Sequence, residues 1–347
     1  MIKVQKEGVL LQKTAQEFEN KAVLNPAAIR EGDYVHLFYR ALNEKDVSSI
    51  GYCKLNGPIS VLERHRIPVL VPEFDYESKG VEDPRIVCIE GVYYLTYTAF
   101  DGINALGAVA TSKDLIHFEK LGIMVSKISF EEFSQLESSQ KSIRDAYFRY
   151  NVNERIAEKI GKKQFLWDKN LVLFPRKING DFCALHRIRP DIQFVTFSDF
   201  KDLNAAFWHN YFQYFEAQIL LKPKYEHEVS FIGSGCPPIE TKLGWLIIYH
   251  GVRDTIHGYV YSACAALLDL ENPKKEIARL PYPLLEPDQQ SEANSKFNRV
   301  CFPTGAVVFE GTLYIYYGDA DEQIACASMD LGELLTELEL QKMKNEK

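Results

Sequence analysis

The chain lacks any C-x-x-C pair, and its seven cysteines are an odd number. Cys53, Cys88, Cys183, Cys236, Cys264, Cys301 and Cys326 sit mostly in apolar, strand-like runs. They read as buried free thiols rather than disulfides or zinc ligands, which suits a reducing compartment. Metal-ligand spacing of His, Asp and Glu is also missing, so no metal is expected. Long apolar runs are absent: nothing approaches the roughly 20 residues of a membrane-spanning helix. The opening Met1-Ile2-Lys3-Val4-Gln5-Lys6-Glu7 carries no apolar signal-peptide core. The expectation is a soluble, cytoplasmic protein with no membrane contact. Basic charge is in deficit, 40 Lys and Arg against 48 Asp and Glu, for a net charge of −8. That excludes a broad nucleic-acid or anionic-membrane surface, though not a local basic pocket.

What the 347 residues do contain is a repeat. Five segments share a Pro, a short strand, an X-Gly turn and a strand rich in Tyr or ending in a polar residue. The first runs from Asn25-Pro26 through Gly32 to Arg40, and the second from Asp83-Pro84 through Gly91 to Thr98. The third runs from Phe174-Pro175 through Gly180 to Arg187, and the fourth from Pro237-Pro238 through Gly244 to His250. The fifth runs from Phe302-Pro303 through Gly311 to Gly318. Gly supplies the positive φ of a tight hairpin, and flanking Val, Ile, Tyr and Phe mark strands. A second strand pair follows each hairpin, as at 109–114, 195–199 and 265–269. Four strands taken five times predict an all-β fold, a five-bladed β-propeller spanning 1–347 as one domain. A β-sandwich is the alternative.

The longest interval, between Gly91 and Gly180, holds an insertion between blades 2 and 3. Residues 130–163 show helical spacing at Phe130, Phe133, Leu136, Ile143, Tyr147, Tyr150, Ile156 and Ile160. One or two helices are expected there, as a lid, a contact in a homo-oligomer or a plain surface insertion. Residues 331–347 read as a short amphipathic helix at the C-terminus.

In a propeller the first strands line a central channel, so polar residues at one register meet although far apart in sequence. The Tyr strands end at Arg40, Asp101, Arg187, His250 and Asp321; the opening positions carry Asn25 and Glu82-Asp83-Pro84-Arg85. Lys169 precedes the third hairpin. The set divides into an acidic half, Asp83, Asp101 and Asp321, and a basic half, Lys169, Arg187 and His250. Carboxylates suit protonation of a glycosidic oxygen and hydrogen bonds to sugar hydroxyls. Lys, Arg and His together suit a phosphate dianion. Singly, each residue has a plainer reading: Asp83 caps a turn before Pro84, and Arg40, Arg187 and His250 are solvated strand ends.

The ordered phrases resemble glycoside hydrolase family 130, the β-mannoside phosphorylases and β-mannosidases. They are Phe38-Tyr39-Arg40-Ala41, Gly80-Val81-Glu82-Asp83-Pro84-Arg85 and Tyr97-Thr98-Ala99-Phe100-Asp101-Gly102. Leu173-Phe174-Pro175 with Leu185-His186-Arg187, and 245–252 around His250, continue the set. Phe302-Pro303 with Tyr316-Tyr317-Gly318-Asp319-Ala320-Asp321 complete it. The resemblance implies a five-bladed propeller and inverting phosphorolysis: a terminal β-mannosyl unit, β-1,2- or β-1,4-linked, passes to phosphate as α-mannose 1-phosphate. It implies Asp83 as general acid, its proton travelling through the mannose 3-hydroxyl in some members, with Asp101 as the fallback acid. Lys169, Arg187 and His250, helped by Tyr261, would hold phosphate. Asn25, Arg40, Arg85, Asp101 and Asp321 would hold the mannosyl unit. No cofactor beyond inorganic phosphate is implied; the partners are an oligosaccharide and phosphate.

One departure stands out. The family's phosphorylases tend to carry Gly-Pro-Pro-Pro-Ile-Lys, where this chain has Gly235-Cys236-Pro237-Pro238-Ile239-Glu240. Some members are hydrolases that have lost the basic residues; this chain keeps them, which favours phosphorolysis over a β-mannosidase using water. A non-catalytic carbohydrate-binding propeller and an arabinanase-like glycosidase are the other readings. The latter uses a carboxylate trio without the basic cluster.

Overall fold

The computed structural model describes residues 2–136, 145–149, 161, 163–287 and 299–345. It is mostly β-strand with few helices, arranged as five antiparallel four-stranded meanders. After β1 (Gln5–Leu11), the first meander is β2 (Ala22–Glu31), β3 (Tyr34–Leu42), β4 (Ser48–Asn56) and β5 (Ser60–Arg64). The second is β6 (Gly80–Ile89), β7 (Val92–Phe100), β8 (Ala105–Ser112) and β9 (Glu119–Ile123). The third is β10 (Lys169–Leu173), β11 (Phe182–Arg187), β12 (Ile192–Phe197) and β13 (Ile219–Leu221). The fourth begins on β14 (Phe231–Ser234) and its short continuation β15 (Ile239–Thr241). It proceeds through β16 (Gly244–Thr255), β17 (Gly258–Leu268) and β18 (Glu276–Arg279). In the fifth, β19 (Arg299–Phe309), β20 (Thr312–Asp319) and β21 (Gln323–Asp330) take β1 from the N-terminus as their fourth strand.

Three of the predicted X-Gly turns are Glu90-Gly91, Asn179-Gly180 and Glu310-Gly311, and each has positive φ at both residues. That is the twist that joins two strands without splaying them.

The first strands touch in succession: β2 with β6, β6 with β10, β10 with β14, and β19 with β2 again, while β16 meets β19. The apolar core follows the same cyclic order. Phe38 and Ile50 pack with Ile86 and Leu95; Val87 and Val109 with Leu173 and Val195; Phe174 and Leu185 with Trp245 and Ile247. Ile248 and Leu267 pack with Leu313 and Ile315, and Val307 and Tyr316 close back on Val23 and Leu37. Each sheet therefore buries both faces, which is why its strands read as nearly continuous apolar runs.

The recurring tyrosine has a mechanical role. Tyr39 and Tyr97 donate to the buried carboxylates of Glu19 and Glu77 at 2.7 Å, and Tyr249 donates to Glu228. Each carboxylate also accepts from a cation on or beside its meander's last strand: Arg64 at 2.7 Å, Lys120 at 2.6 Å, Arg279 at 3.3 Å. A buried charge is tolerated when paired and hydrogen-bonded in this way. In the first, second and fourth meanders this latch ties the entering segment to the second and fourth strands, whereas in the fifth the Tyr316 hydroxyl donates to the Pro58 carbonyl. In the third meander His186 takes the tyrosine's place. Its Nδ1 lies 2.9 Å from Asp168, and its Nε2 lies 2.7 Å from the Tyr211 hydroxyl.

Among the described residues, helices α1 (Phe130–Leu136), α2 (Ala205–Gln213) and α3 (Leu331–Asn345) sit outside the sheets. Residues 145–149 are also helical. Phe133, Tyr147, Phe212 and Phe215 form one buried aromatic cluster against the second and third meanders. Ile143, Tyr150, Ile156 and Ile160 lie outside the described residues. Sequence reasoning missed α2. Asn204 caps it, accepting from the backbone N–H groups of Ala206 and Phe207, and its buried Trp208, Tyr211 and Phe212 follow helical spacing. No helix among the described residues is long and apolar enough to cross a membrane.

Candidate active site

The first strands break register at matching places: β2 between Leu24 and Ala27, β6 between Glu82 and Arg85, β10 between Lys169 and Val172. At these bulges Asn25, Asp83 and Asn170 take φ of 47°, 49° and 54°. Asn and Asp tolerate the left-handed region best among non-glycine residues. For Asn25 and Asp83 a following proline adds to the strain, which is of the order of 1–3 kcal/mol per residue. A bulge re-aims side chains out of strand alternation. Here it turns two residues 58 positions apart toward each other: Asn25 Nδ2 donates to Asp83 Oδ1 at 2.7 Å. Gly318 makes the approach possible, because a Cβ there would stand 2.2 Å from Asn25 Oδ1. That oxygen is buried and has no hydrogen-bond partner among the described residues.

Asp83 is buried at the base of a cavity of about 130 Å³, lined also by Asn25, Lys169, Arg187, Arg189, Tyr261 and Asp321. Burial alone would raise its carboxyl. Arg40, Lys169, Arg85 and the Asn25 hydrogen bond outweigh burial and hold it below the ordinary value. Arg40 lies 3.7 Å from Asp83 and donates to Glu82 at 2.7 Å. Glu82 also faces Lys169 at 3.9 Å, so one buried carboxylate sits between the two cations. Asp321, at the rim, keeps solvent contact yet is crowded enough that desolvation lifts its carboxyl, against the pull of Arg40.

The opposite wall is cationic. Burial pushes the Arg187 guanidinium down to about 9, and neighbouring Arg189 adds to the shift. Burial also lowers Lys169, despite Glu82 and Asp83. His250 is fully buried; burial and then Arg187, Arg85, Arg189 and Lys169 push its imidazole well below the usual value. It is therefore neutral at pH 7. Arg187 can only donate, so His250 Nε2, 3.3 Å away, accepts and the ring hydrogen sits on Nδ1. That nitrogen has no hydrogen-bond partner among the described residues. Phe302 packs against the ring at a tilt of 46° with centroids 4.5 Å apart, and Tyr261 flanks it at 5.9 Å.

Two predicted residues take other positions. Arg85 is buried beneath the cavity and donates to the backbone carbonyls of Asp83, Ser234 and Gly235. Asp101 accepts from the backbone N–H groups of Ile103 and Asn104 and so holds its own loop. A larger cavity of about 500 Å³ between α1 and α2 has only exposed charges, Lys127, Glu132 and His209, in its lining. For a metal, the described residues offer one cluster, His227, Glu228 and Cys264, within 4.8 Å of one another. It does not suit an ion. Glu228 is taken by Tyr249, Arg279 and two backbone N–H groups, and burial keeps the Cys264 thiol protonated.

A sequence profile of glycoside hydrolase family 130, described as beta-1,4-mannooligosaccharide phosphorylase, matches residues 6–340. The chain belongs to this family. Its relatives in family 130 include the 1,2-beta-oligomannan phosphorylase of Thermoanaerobacter sp. (strain X514), 34% identical over 96% of this chain and 99% of the relative. The beta-1,2-mannobiose phosphorylase of the same organism is 33% identical over 90% of this chain and 92% of its own length. Among solved structures, the beta-1,2-mannobiose phosphorylase of Listeria innocua, in complex with beta-1,2-mannobiose, shares the fold. Its TM-score is 0.71 at 22% identity, with 98% of this chain and 100% of that one covered.

Sequence reasoning overlooked Arg189, Glu82 and Gly233 in this family 130 site. Arg189 lies on a turn just past the repeat's polar register, and Glu82 was quoted only as part of the phrase around Asp83. Gly233 faces Arg187 and His250: a Cβ there would stand 2.5 Å from the His250 ring and 2.9 Å from Arg187 Cδ. Gly233→Ala is expected to lower stability by about 1–3 kcal/mol through overpacking. It should also weaken inorganic phosphate binding by pushing His250 and Arg187 apart. Thermal melts and phosphate titration check both, and a lowered Tm with unchanged phosphate affinity would show that the pair holds its place.

Proposed function

We propose that this family 130 chain is an inverting phosphorylase of β-mannosides, built as a single five-bladed β-propeller with its chemistry at one end of the channel. The cyclic contacts of five four-stranded meanders support the propeller. One observation carries the reaction: a buried acid, Asp83, shares its cavity with Lys169, Arg187 and Arg189, beside His250, in a protein of net charge −8. A cationic wall suits an anionic nucleophile rather than water.

In this reading a phosphate oxygen attacks the anomeric carbon from the face opposite the leaving group. The C1–O bond breaks, and the departing oxygen takes the Asp83 proton, directly or through the mannose 3-hydroxyl. The products are α-mannose 1-phosphate and a shortened acceptor. Lys169, Arg187, Tyr261 and the Nδ1–H of His250 hold phosphate. Asn25, Arg40 and Asp321 hold the mannosyl unit, and the unpartnered Asn25 Oδ1 accepts from a sugar hydroxyl. Arg85 supports Asp83 from below, and Asp101 shapes the loop at the rim. The relatives that align over nine-tenths of the chain or more act on β-1,2 linkages, which favours a β-1,2-mannoside here.

The test is turnover of β-1,2-mannobiose with and without inorganic phosphate. Strict phosphate dependence with α-mannose 1-phosphate as product is expected. Equal turnover in phosphate-free buffer would make the protein a β-mannosidase instead.

A further inference from the structure

We infer that the helical insertion is a buttress for the cationic wall, with Tyr147 as a positioning residue that acts through Gln193 and Asp191 on Arg187 and Arg189. The inference rests on the phosphorylase reading of the cavity. It starts from the turn at 188–191, between β11 and β12, which carries Arg189 and follows directly on Arg187. Both guanidinium groups approach the Phe231 ring, Arg189 at 4.0 Å and Arg187 at 5.6 Å from its centre. Two like charges this close repel each other, and only a rigid backbone keeps them converging on one small cavity.

The rigidity comes from a buried polar clamp. Gln193 Oε1 accepts from the Ile188 N–H at 2.7 Å, and Gln193 Nε2 donates to the Ile188 carbonyl at 2.9 Å. The same Nε2 donates to the Tyr147 hydroxyl at 2.9 Å. Tyr147 in turn donates to Asp191 Oδ2 at 2.8 Å. One hydroxyl therefore joins Ile188, through Gln193, to Asp191, bracketing Arg189. The Ile232 N–H donates to the Pro190 carbonyl at 2.9 Å, tying the turn's middle to β14. Tyr147 belongs to the inserted segment, and its ring is locked by Phe133 and Phe215 at 5.8 and 5.1 Å. Among the described residues, the insertion reaches the turn through the Tyr147 hydroxyl. Buried networks of this kind fix geometry when every member is satisfied. Burial raises Asp191 to about 6, so at neutral pH it is an ionised acceptor for which the Tyr147 hydroxyl is a strong partner.

Tyr147→Phe removes the hydroxyl and keeps the ring. The KM for inorganic phosphate is expected to rise about tenfold, with the KM for β-1,2-mannobiose within about twofold of wild type, the scale of one lost charge-assisted hydrogen bond acting at second hand. Asp191→Ala should reproduce this split, and Asp191→Asn, which still accepts from Tyr147, should restore it to near wild type. A phosphate KM within twofold of wild type in both Tyr147→Phe and Asp191→Ala overturns the proposal, as does an equal rise in both KM values. Phosphate-independent turnover by the wild type would instead remove the phosphorylase reading, and the buttress with it.

Discussion

Asp83→Asn is expected to reduce turnover by about a thousandfold or more, the upper part of the range for losing a general acid, while inorganic phosphate still binds. Asn keeps the shape of the side chain and can still accept from Asn25, which donates to Oδ1 at 2.7 Å in the parent protein. The bulge at φ 49° suits Asn as well as Asp, so the backbone should not move. What is lost is the proton for the leaving oxygen. Loss of one negative charge near Lys169 and Arg40 also leaves the cationic wall more positive, so phosphate affinity should hold or improve. The measurements are kcat on β-1,2-mannobiose and direct phosphate titration. Substrates with an acidic leaving group, such as an aryl β-mannoside, need little protonation and should recover much of the rate. If activity on the aryl substrate falls as far as on mannobiose, Asp83 is not the acid.

The architecture was legible because its period is long and marked by residues with one job each. Glycine recurs where hairpins need positive φ, and tyrosine recurs where a hydroxyl must reach a buried carboxylate. The carboxylates themselves were not legible: Glu19, Glu77 and Glu228 lie outside the strands, about 20 residues before their tyrosines. The polar register at the ends of the Tyr strands picked out Arg40, which lies beside Asp83, and Arg187 and His250, which lie beside each other. It could not separate Arg85 and Asp101 from the cavity lining, because that depends on where their hydrogen bonds go. Nor could alternation along a strand foresee that Asn25 and Asp83 face each other, since a bulge resets which side a residue points to. Helix α2, by contrast, was legible and overlooked: Trp208, Tyr211, Phe212 and Phe215 recur at helical spacing behind Asn204, which caps the helix.

Lys169→Met should raise the phosphate KM by about a hundredfold, within the 2–5 kcal/mol that truncating one partner of a buried charge contact costs. Lys169 is a point charge between two demands. It faces Glu82 at 3.9 Å and helps hold Asp83 below its ordinary value, yet it stands in the cavity where phosphate is proposed to sit. In the free protein this leaves Asp83 ionised, which is the wrong form for an acid. A bound phosphate dianion would offset the charge of Lys169 and Arg187 and add its own, so phosphate should bring Asp83 its proton as well as supplying the nucleophile. The sign can be checked in the lysine variant. Removing a cation that favours the carboxylate raises the Asp83 pKa. The acid form then persists to higher pH, and the falling alkaline limb of kcat at saturating phosphate should move upward. Burial, the largest opposing influence on Asp83, acts in the same direction once the cation is gone. A variant with the expected phosphate KM but an unmoved alkaline limb would separate the two demands, leaving Lys169 as a phosphate ligand with no hold on the acid.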